Sequence, residues 1–445
     1  MCLPKKYSFA SLIGFTENWL LLHAKVHTMR HRSLLPFLLA LAFVGLLVSS
    51  VSAESWNKQW ELELPARKTA WQFTQRMGRD TGYPVATGGG LAFVGCEHNG
   101  ALVALDGKTG EERWRFYTGA AIRHAPVASS THVYVGSDDG YLYCLNTKGE
   151  LTWKRRGGPA DRLTIGHERI MSAWPISTEP LLHDDVLYFV GGYWPVNGVY
   201  IHAVDAKTGE EIWVSSDAEF RPNRRMYLAD GKLQIEGDNS RAYLNAETGE
   251  VLREKPEKPA PPERPELSGL QGGLASWSQD GDILVAGTPE GVFSFSTSAK
   301  GEARQHAATE KTPASVDSKT DQVVDALLDK STTGGYALLV GLQDAALVQA
   351  LLEKSDLQFV VLAQSDDAAV KTRRALDSPG LFDSHRLAVV SADAELPPYF
   401  ASLIIGESDD AVTDAVRRSL HPYAGVVATN INGNLKLTRS DGPPA

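Results

Sequence analysis

Short segments of alternating apolar and polar residues fill the middle of the chain and occur in pairs joined by Gly, Asp or Asn. Clear pairs cover 91–106, 133–146 and 186–205, and fainter pairs cover 232–245 and 282–296. A period of two residues places alternate side chains on opposite faces of a β-strand, and turn residues between two such runs indicate hairpins. The pattern therefore predicts a series of small sheets, each with four short antiparallel strands.

A different pattern begins near residue 321. Continuous apolar runs predict strands, which lie at 336–341, 358–363, 387–391, 402–407 and 425–429. The segments between them have apolar residues three or four positions apart and predict helices, which lie at 344–354, 366–377 and 409–419. Strands buried on both faces that alternate with helices are typical of a doubly wound parallel sheet. This region is therefore predicted to be an α/β domain of the Rossmann type.

One phrase returns along the first region: 104–114 reads ALDGKTGEERW, and 203–213 reads AVDAKTGEEIW. Weaker copies lie at 144–153, which keeps Trp153, and at 243–253, where Arg253 stands in place of the Trp. The two full copies share Ala104, Asp106, Thr109, Gly110 and Trp114, and Ala203, Asp205, Thr208, Gly209 and Trp213. Repeats of about 40 residues with several short strands are typical of propeller blades. About five blades are predicted, one of them with a long insertion.

Each position of the phrase has a structural explanation. The Asp at the end of one strand can accept hydrogen bonds from the amides of the following turn. The Gly supplies the positive φ that the chain reversal requires. The Trp is expected to pack on the turn of the neighbouring blade, where it would bury about 150–250 Å², and the Ala leaves room for its ring. The phrase is therefore predicted to join blades rather than to carry chemistry.

The pattern Ala-x-Asp-x-x-Thr-Gly-x-x-x-Trp resembles the tryptophan-docking motif of the pyrroloquinoline-quinone (PQQ)-type propeller repeat, over residues 56–296. That family includes quinoprotein alcohol dehydrogenases and BamB, a scaffold lipoprotein of outer-membrane assembly. The dehydrogenases hold PQQ and calcium beside a disulfide of adjacent cysteines, and they close eight blades. This chain has no adjacent cysteine pair and no dense group of Glu, Asn and Asp that would hold calcium. We therefore expect neither PQQ nor a metal here, and no catalytic residues.

The second region resembles the class I S-adenosylmethionine-dependent methyltransferases in its order of strands and helices. The resemblance implies a cofactor site at Gly341, Gln364, Asp366 and Asp393. Gly341 ends the first strand, but the loop after it lacks the later glycines of the family, and Gln364 replaces the acid that binds the ribose. The domain is therefore expected to be a spacer or interaction module that does not use S-adenosylmethionine.

Residues 155–198 insert two Trp-Pro steps and several charged side chains into one blade. The positions of interest are Arg162, His167, Arg169, Trp174 and Trp194. Exposed Trp and Arg residues are typical of binding interfaces. Two interpretations remain open: the indoles fill the central funnel of the propeller, or the insertion binds a partner or ligand.

The first 53 residues have the pattern of a signal peptide. Arg30 and Arg32 precede an apolar run at 34–48, and small residues then lead to a cleavage site after Ala53. Translation could also begin at Met29. The run is short for a membrane span, and no cysteine follows it that would carry a lipid. Export to the periplasm or cell envelope is expected, with no transmembrane anchor after cleavage.

The net charge and the two cysteines on predicted strands add two further expectations. The formal net charge of −10 argues against nucleic-acid binding, which needs a basic surface. Cys96 and Cys144 fall on predicted strands. They could form a disulfide in an exported protein, or remain as buried free thiols.

The predicted organisation is thus multi-domain. It comprises a signal region (1–53), propeller repeats (56–296), a linker (297–321), a Rossmann-like domain (322–430) and a tail (431–445). The expected function is that of a non-catalytic scaffold or binding protein, BamB-like in repeat type, which interacts with other envelope proteins. The alternative is a PQQ-dependent oxidoreductase or a relic methyltransferase. Because only about five blades are visible, we also expect further blades downstream of residue 445 in a longer protein.

Overall fold

The computed structural model describes residues 55–65, 82–166, 169–216, 220–237, 241–253, 263–270, 273–308, 310–331, 334–342, 344–431 and 435–442. The predicted signal region lies outside these ranges. Trp56–Ala445 form one compact unit. In the part of the chain that the structure describes, no helix is both long and apolar enough to cross a membrane.

The unit begins with a strand that belongs to the fifth sheet described below, and three four-stranded antiparallel sheets and a hairpin follow it. Strand β1 is Asn57–Glu63. The first sheet contains β2 (Val85–Gly88), β3 (Leu91–Gly95), β4 (Ala101–Asp106) and β5 (Glu112–Tyr117). The second sheet contains β6 (Val127–Ala128), β7 (His132–Gly136), β8 (Tyr141–Asn146) and β9 (Leu151–Arg156). The hairpin is β10 (Leu163–Gly166) and β11 (Arg169–Ser172). The third sheet contains β12 (Leu181–His183), β13 (Val186–Gly191), β14 (Tyr200–Asp205) and β15 (Glu211–Ser215).

Two further sheets complete this half. The fourth sheet contains β16 (Pro222–Ala229), β17 (Lys232–Gly237) and β18 (Arg241–Asn245), and a single bridge between Leu244 and Val251 extends it. The fifth sheet contains β19 (Ser276–Asp280), β20 (Ile283–Gly287), β21 (Gly291–Ser296) and β22 (Arg304–His306). Strand β1 lies between β21 and β22, antiparallel to the former and parallel to the latter. The N-terminal strand therefore completes the last sheet of the series.

Consecutive sheets face one another across apolar layers. Such layers join the fifth sheet to the first, the first to the second, the second to the third and the third to the fourth. The alternation that predicted the strands explains these layers, because every second side chain of a strand points to the same neighbour. Several small antiparallel sheets packed in series confirm the propeller-like architecture in this coarse form.

The remaining half is a six-stranded sheet with helices. Its elements are α1 (Ser318–Lys330), β23 (Tyr336–Val340), α2 (Ala345–Lys354), β24 (Gln358–Ala363), α3 (Asp366–Asp377), β25 (Leu387–Ser391), β26 (Ala401–Gly406), α4 (Asp414–Arg417), β27 (Tyr423–Thr429) and β28 (Lys436–Asp441). The strand order is β25-β24-β23-β26-β27-β28. The first five strands are parallel, and β28 is antiparallel to β27.

The two faces of this α/β sheet are covered differently. Apolar residues of α1, α2 and α3 pack on one face. On the other face, Leu163 and Ile170 of the β10–β11 hairpin join the core, together with residues of α4 and the segments around it. Part of the 155–198 insertion is therefore built into the core of the α/β half.

Three predicted boundaries differ from the structure. Helix α1 begins at Ser318, inside the predicted linker, because the side chain of Asp317 caps it by accepting from Thr320 N. The predicted tail contributes β28, whose mostly exposed and partly charged residues suit an edge strand. The helix predicted at 409–419 is a single turn, Asp414–Arg417.

The two cysteines are buried free thiols. Cys144 lies on β8, and burial raises the pKa of its thiol to about 12. Of the two alternatives for the pair, the structure has the unbridged one.

Candidate functional site

Four indole rings link consecutive sheets, and we call these contacts the indole joints. The Nε1 of Trp114 donates to the carbonyl of Thr147 at 2.9 Å, and that of Trp153 donates to Ala206 at 3.2 Å. Trp213 donates to the carbonyl of Ala246 at 2.9 Å. The fourth ring is Trp60 of β1, which donates to Gly107 at 2.9 Å. Each indole lies on the β-turn of the following sheet, and Trp60 joins the fifth sheet to the first.

The turn glycines make room for these rings. A Cβ added at Gly149 would lie 2.6 Å from the ring of Trp114, and one added at Gly209 would lie 2.6 Å from the ring of Trp153. Both glycines have positive φ, at 82° and 72°. Any side chain here would meet both a strained backbone and an occupied space.

The remaining motif residues hold the turn and the strand in place. Asp106 Oδ1 accepts from the amides of Lys108 and Thr109, and Asp205 Oδ1 accepts from Lys207 and Thr208. In Asp205, the amide of Thr208 is the largest cause of a lowered pKa. The small residues Ala104 and Ala203 lie directly opposite Trp114 and Trp213 in the strand register, and both are fully buried. The repeated phrase is thus positioned for packing between sheets.

A polar interface holds the α/β half against the first two sheets, and we call it the seam. Its centre is Asp377, at the end of α3. One carboxylate oxygen accepts from Asn99 Nδ2 at 3.1 Å and from Lys311 Nζ at 3.2 Å, and the other accepts from the hydroxyl of Tyr117 at 2.9 Å. Burial alone would raise the pKa of Asp377, but the charge of Lys311 and the hydrogen bonds outweigh it and lower the pKa.

Arg373 lies one helical turn earlier and is buried. Its guanidinium donates to the carbonyl of Gly119 at 2.7 Å and also to Val389 of the neighbouring strand β25. The carboxylate of Asp139, in the turn between β7 and β8, accepts hydrogen bonds from the amide of Gly119 and from the hydroxyl of Tyr143. Arg373 therefore connects helix α3, its own sheet and the loops of the propeller-like half.

The far end of the seam contains two histidines and an arginine from the insertion. Arg169 of β11 lies 3.4 Å from a carboxylate oxygen of Glu97 and 3.1 Å from Nδ1 of His385. The ring centroid of His385 is 6.1 Å from that of His98. Burial, and then the charge of Lys311, lowers the pKa of His98 to about 4.

A crevice of about 700 Å³ runs along the seam. Tyr141, Lys154 and Arg162 line it from the propeller-like half, and Asp366 and Asp393 line it from the α/β half. A concave site of this size at an interface between two packed halves is the usual place for a ligand. It is the candidate functional site.

The insertion residues singled out in the sequence lie at or behind this crevice. The guanidinium of Arg162 lies 4.8 Å from the ring centroid of Trp174. Trp174 is buried and donates to the carbonyl of Asn197 at 2.6 Å. Trp194 is half-buried beside Gly166, whereas His167 lies outside the described residues. Arg169 belongs to the seam.

The four residues considered for a methyltransferase cofactor follow the carboxyl ends of the neighbouring strands β23, β24 and β25. Asp366 forms an ion pair of 2.6 Å with Lys154, and Asp393 accepts from the hydroxyl of Ser391 at 3.1 Å. Both line the crevice, whereas Gly341 and the exposed Gln364 lie at the ends of β23 and β24. With Asp366 already paired and an amide at position 364, these residues do not fit the ribose of S-adenosylmethionine.

Within the described ranges, no three residues among His, Cys, Asp and Glu are grouped so that they could hold a metal ion.

Sequence reasoning missed the seam and Trp60. Seam residues come from separate, unrepeated segments, so no spacing marks them. Trp60 could have been found, because it is a Trp on an alternating strand, but no Asp and Gly precede it.

Comparison with known proteins agrees with the repeat pattern. Residues 47–173 match the family model of the outer membrane protein assembly factor BamB. This stretch therefore carries repeats of the BamB type. No curated protein sequence matches the chain.

Several solved structures resemble part of the chain. BamB from Moraxella catarrhalis is 18% identical, over 47% of this chain and 83% of that protein, with a TM-score of 0.29. Quinohemoprotein alcohol dehydrogenase from Comamonas testosteroni is 17% identical over 47% of this chain, with a TM-score of 0.33. The match spans only 38% of the dehydrogenase. The computationally designed Ika4 protein is 12% identical over 41% of this chain and 96% of its own length, with a TM-score of 0.29.

Proposed function

We propose that this protein is an exported, non-catalytic scaffold of the cell envelope that binds other envelope proteins. The BamB-type repeats over residues 47–173 support a role in protein–protein interaction. The indole joints support a structural role for the repeated phrase, because each position shared by its two full copies packs against a neighbour or holds the turn.

The seam is the observation that most strongly supports a binding role. It fixes a second half onto one side of the propeller-like half through buried polar contacts to Asp377 and Arg373. An α/β half fixed in this way presents a composite surface, with the crevice between its two walls. In the crevice, Lys154 pairs with Asp366, and the hydroxyl of Tyr141 donates to Asp161. Side chains that are paired with one another suit a rigid binding surface better than a reactive centre.

Affinity capture from envelope extracts tests the binding role. The full chain is compared with Arg162→Glu, which reverses a charge at the crevice, and with Asp356→Ala, a change at an exposed position between α2 and β24 that does not line the crevice. We expect the same envelope proteins with wild type and Asp356→Ala, and their loss with Arg162→Glu. Equal capture by all three would remove the crevice from the proposal.

Export has a separate test. The mature protein isolated from the periplasmic fraction should begin at Glu54, which N-terminal sequencing would show. A protein retained in the cytoplasm with its first residues intact would contradict export.

A relic methyltransferase is the second candidate, and the strand order favours it. Five parallel strands in the order third, second, first, fourth, fifth, followed by an antiparallel sixth, resemble the class I methyltransferase sheet. Gly341 ends the first of these strands with a positive φ of 73°. Isothermal titration with S-adenosylmethionine separates the candidates, because a scaffold should give no heat. A quinone absorbance in the purified protein would instead support the alternative of a PQQ-dependent oxidoreductase.

A further inference from the structure

The fourth sheet differs from the first three at the row of residues that forms an indole joint. In the first three sheets this row reads aromatic ring, small residue, Trp. The rows are Phe93–Ala104–Trp114, Tyr134–Cys144–Trp153 and Tyr188–Ala203–Trp213. The ring centroids of the aromatic residue and the Trp lie 5.8, 6.0 and 6.0 Å apart.

In the fourth sheet every member of this row is changed. Gln234 stands in place of the aromatic ring, and its register partners are Tyr227 and Tyr243. Tyr243 replaces the small residue that leaves room for an indole, and Arg253 replaces the indole itself. Directly opposed residues of antiparallel strands share a face, so the row Tyr227–Gln234–Tyr243 lies on the face turned away from the third sheet. The three changes together exclude an indole joint from this face.

The carboxamide of Gln234 is the second observation. Its side chain is 2% exposed, yet neither its oxygen nor its nitrogen has a hydrogen-bond partner among the residues that the structure describes. A buried amide without a partner costs stability, which an apolar side chain at the same place would avoid. Leu233 and Ile235, its neighbours on the opposite face, are apolar and fully buried, so this strand readily carries such side chains.

The chemistry of the face indicates what would satisfy this amide. A carboxamide offers two N–H donors and an acceptor oxygen, and it can therefore bond a pair of neighbouring hydroxyl groups. The half-buried rings of Tyr227 and Tyr243 flank it and present flat apolar surfaces with polar tips. The next residue of β17 on this face is Glu236, a further acceptor. Flat rings beside hydrogen-bonding groups match a ring-shaped polyol, which has apolar C–H faces and hydroxyls at its edge.

We propose that the face of the fourth sheet turned away from the third sheet is a carbohydrate-binding site. The amide of Gln234 bonds two hydroxyls of a neutral sugar, and the rings of Tyr227 and Tyr243 part to admit it and pack against its faces. Arg253 is exposed and lies two residues after Val251, which forms a bridge to Leu244 of β18. The site involves neither the seam nor the crevice, so it stands independently of the function proposed above.

Isothermal titration of the full chain with maltotetraose, cellotetraose and chitotetraose tests the proposal. We expect at least one of them to bind with a dissociation constant of about 1 mM or below. Gln234→Leu should weaken that binding by roughly tenfold or more, because the paired hydrogen bonds are lost. Its unfolding temperature should not fall, because the change removes an unpartnered amide.

Two further variants keep the result decisive. Gln279→Leu makes the same change on the fifth sheet, where the Gln is exposed, and should bind like wild type. Tyr243→Ala should also weaken binding, and it provides an independent test if Gln234→Leu does not fold. The absence of heat with all three tetrasaccharides at about 10 mM would overturn the proposal. Equal affinity of the Gln234→Leu, Tyr243→Ala and Gln279→Leu variants would overturn it as well.

Discussion

The indole joints and the seam both bring distant parts of the chain together, the joints with apolar rings and the seam with charges. At a joint, one ring fills a space that a glycine leaves open and makes one hydrogen bond to a carbonyl. At the seam, Asp377 collects hydrogen bonds from three side chains of three separate segments. Apolar joints tolerate repetition along a chain, whereas a buried charge needs its own complete set of partners. The indole joints and the seam should therefore lose stability under different conditions.

Removing one indole should have the largest effect. Trp213→Ala deletes a ring that is 8% exposed and leaves a cavity between the third and fourth sheets. We expect a loss of about 3–5 kcal/mol in the free energy of unfolding, measured by urea denaturation. The matched control is Ile212→Ala on the same strand, where the side chain is 50% exposed and the cost should be small. Equal losses in the two variants would contradict the joint.

Breaking the seam should come next. Asp377→Ala leaves the partners of a side chain that is only 7% exposed without an acceptor, and we expect a cost of about 3 kcal/mol. Limited proteolysis should then cleave the 297–321 region sooner, because the α/β half is less firmly held. Asp356→Ala, at an exposed position, should behave like wild type. Unchanged proteolysis of the Asp377→Ala variant would show that the seam does not hold the halves together.

Acid should act on the seam before it acts on the joints. In the folded protein the pKa of His98 is lowered from 6.5 to about 4. The unfolded chain therefore takes up this proton first, and stability falls as the pH drops from about 6.5 to 4. His98→Gln should flatten the curve of stability against pH in this window by about 1–2 kcal/mol. The exposed His183→Gln should not, and identical curves for the two variants would exclude His98 as the cause.

The smallest effect should come from two glycines with nearly the same backbone. Gly209 and Gly231 have φ of 72° and 69°, so an added side chain strains both alike. A Cβ at Gly209 meets the ring of Trp153, whereas a Cβ at Gly231 meets nothing within 4 Å. We expect Gly209→Ala to cost about 1–2 kcal/mol more than Gly231→Ala in thermal unfolding. Equal costs would mean that the ring moves aside freely.

The same contrast explains what the sequence could predict. Alternation and repetition located the hairpins, and helix α3 and strands β24 and β25 have the predicted bounds. The positions of Trp114, Trp153 and Trp213 on their turns follow from the repeated phrase, because local turn chemistry and strand register set them. The helix in the segment 409–419 is shorter than predicted, because the β10–β11 hairpin covers the same face of the sheet as this segment.

The crevice was beyond the reach of sequence patterns. Arg162 and Arg169 were selected because they belong to an insertion, but their neighbours come from positions more than 200 residues later along the chain, such as His385 and Glu395. No period links such segments. Gln234 was missed for another reason: a Gln on an alternating strand is unremarkable until its register partners show which face it occupies.

Strand β1 has a consequence for how the protein is made. Asn57 pairs with Ser296, so the earliest described strand waits for partners that are synthesised much later. Contacts so far apart in sequence form slowly, and an unpaired edge remains open to other chains meanwhile. A newly emerging chain therefore needs protection from aggregation until residue 306 has appeared, and a tag or truncation that disturbs residues 57–63 would harm the assembly of the fifth sheet.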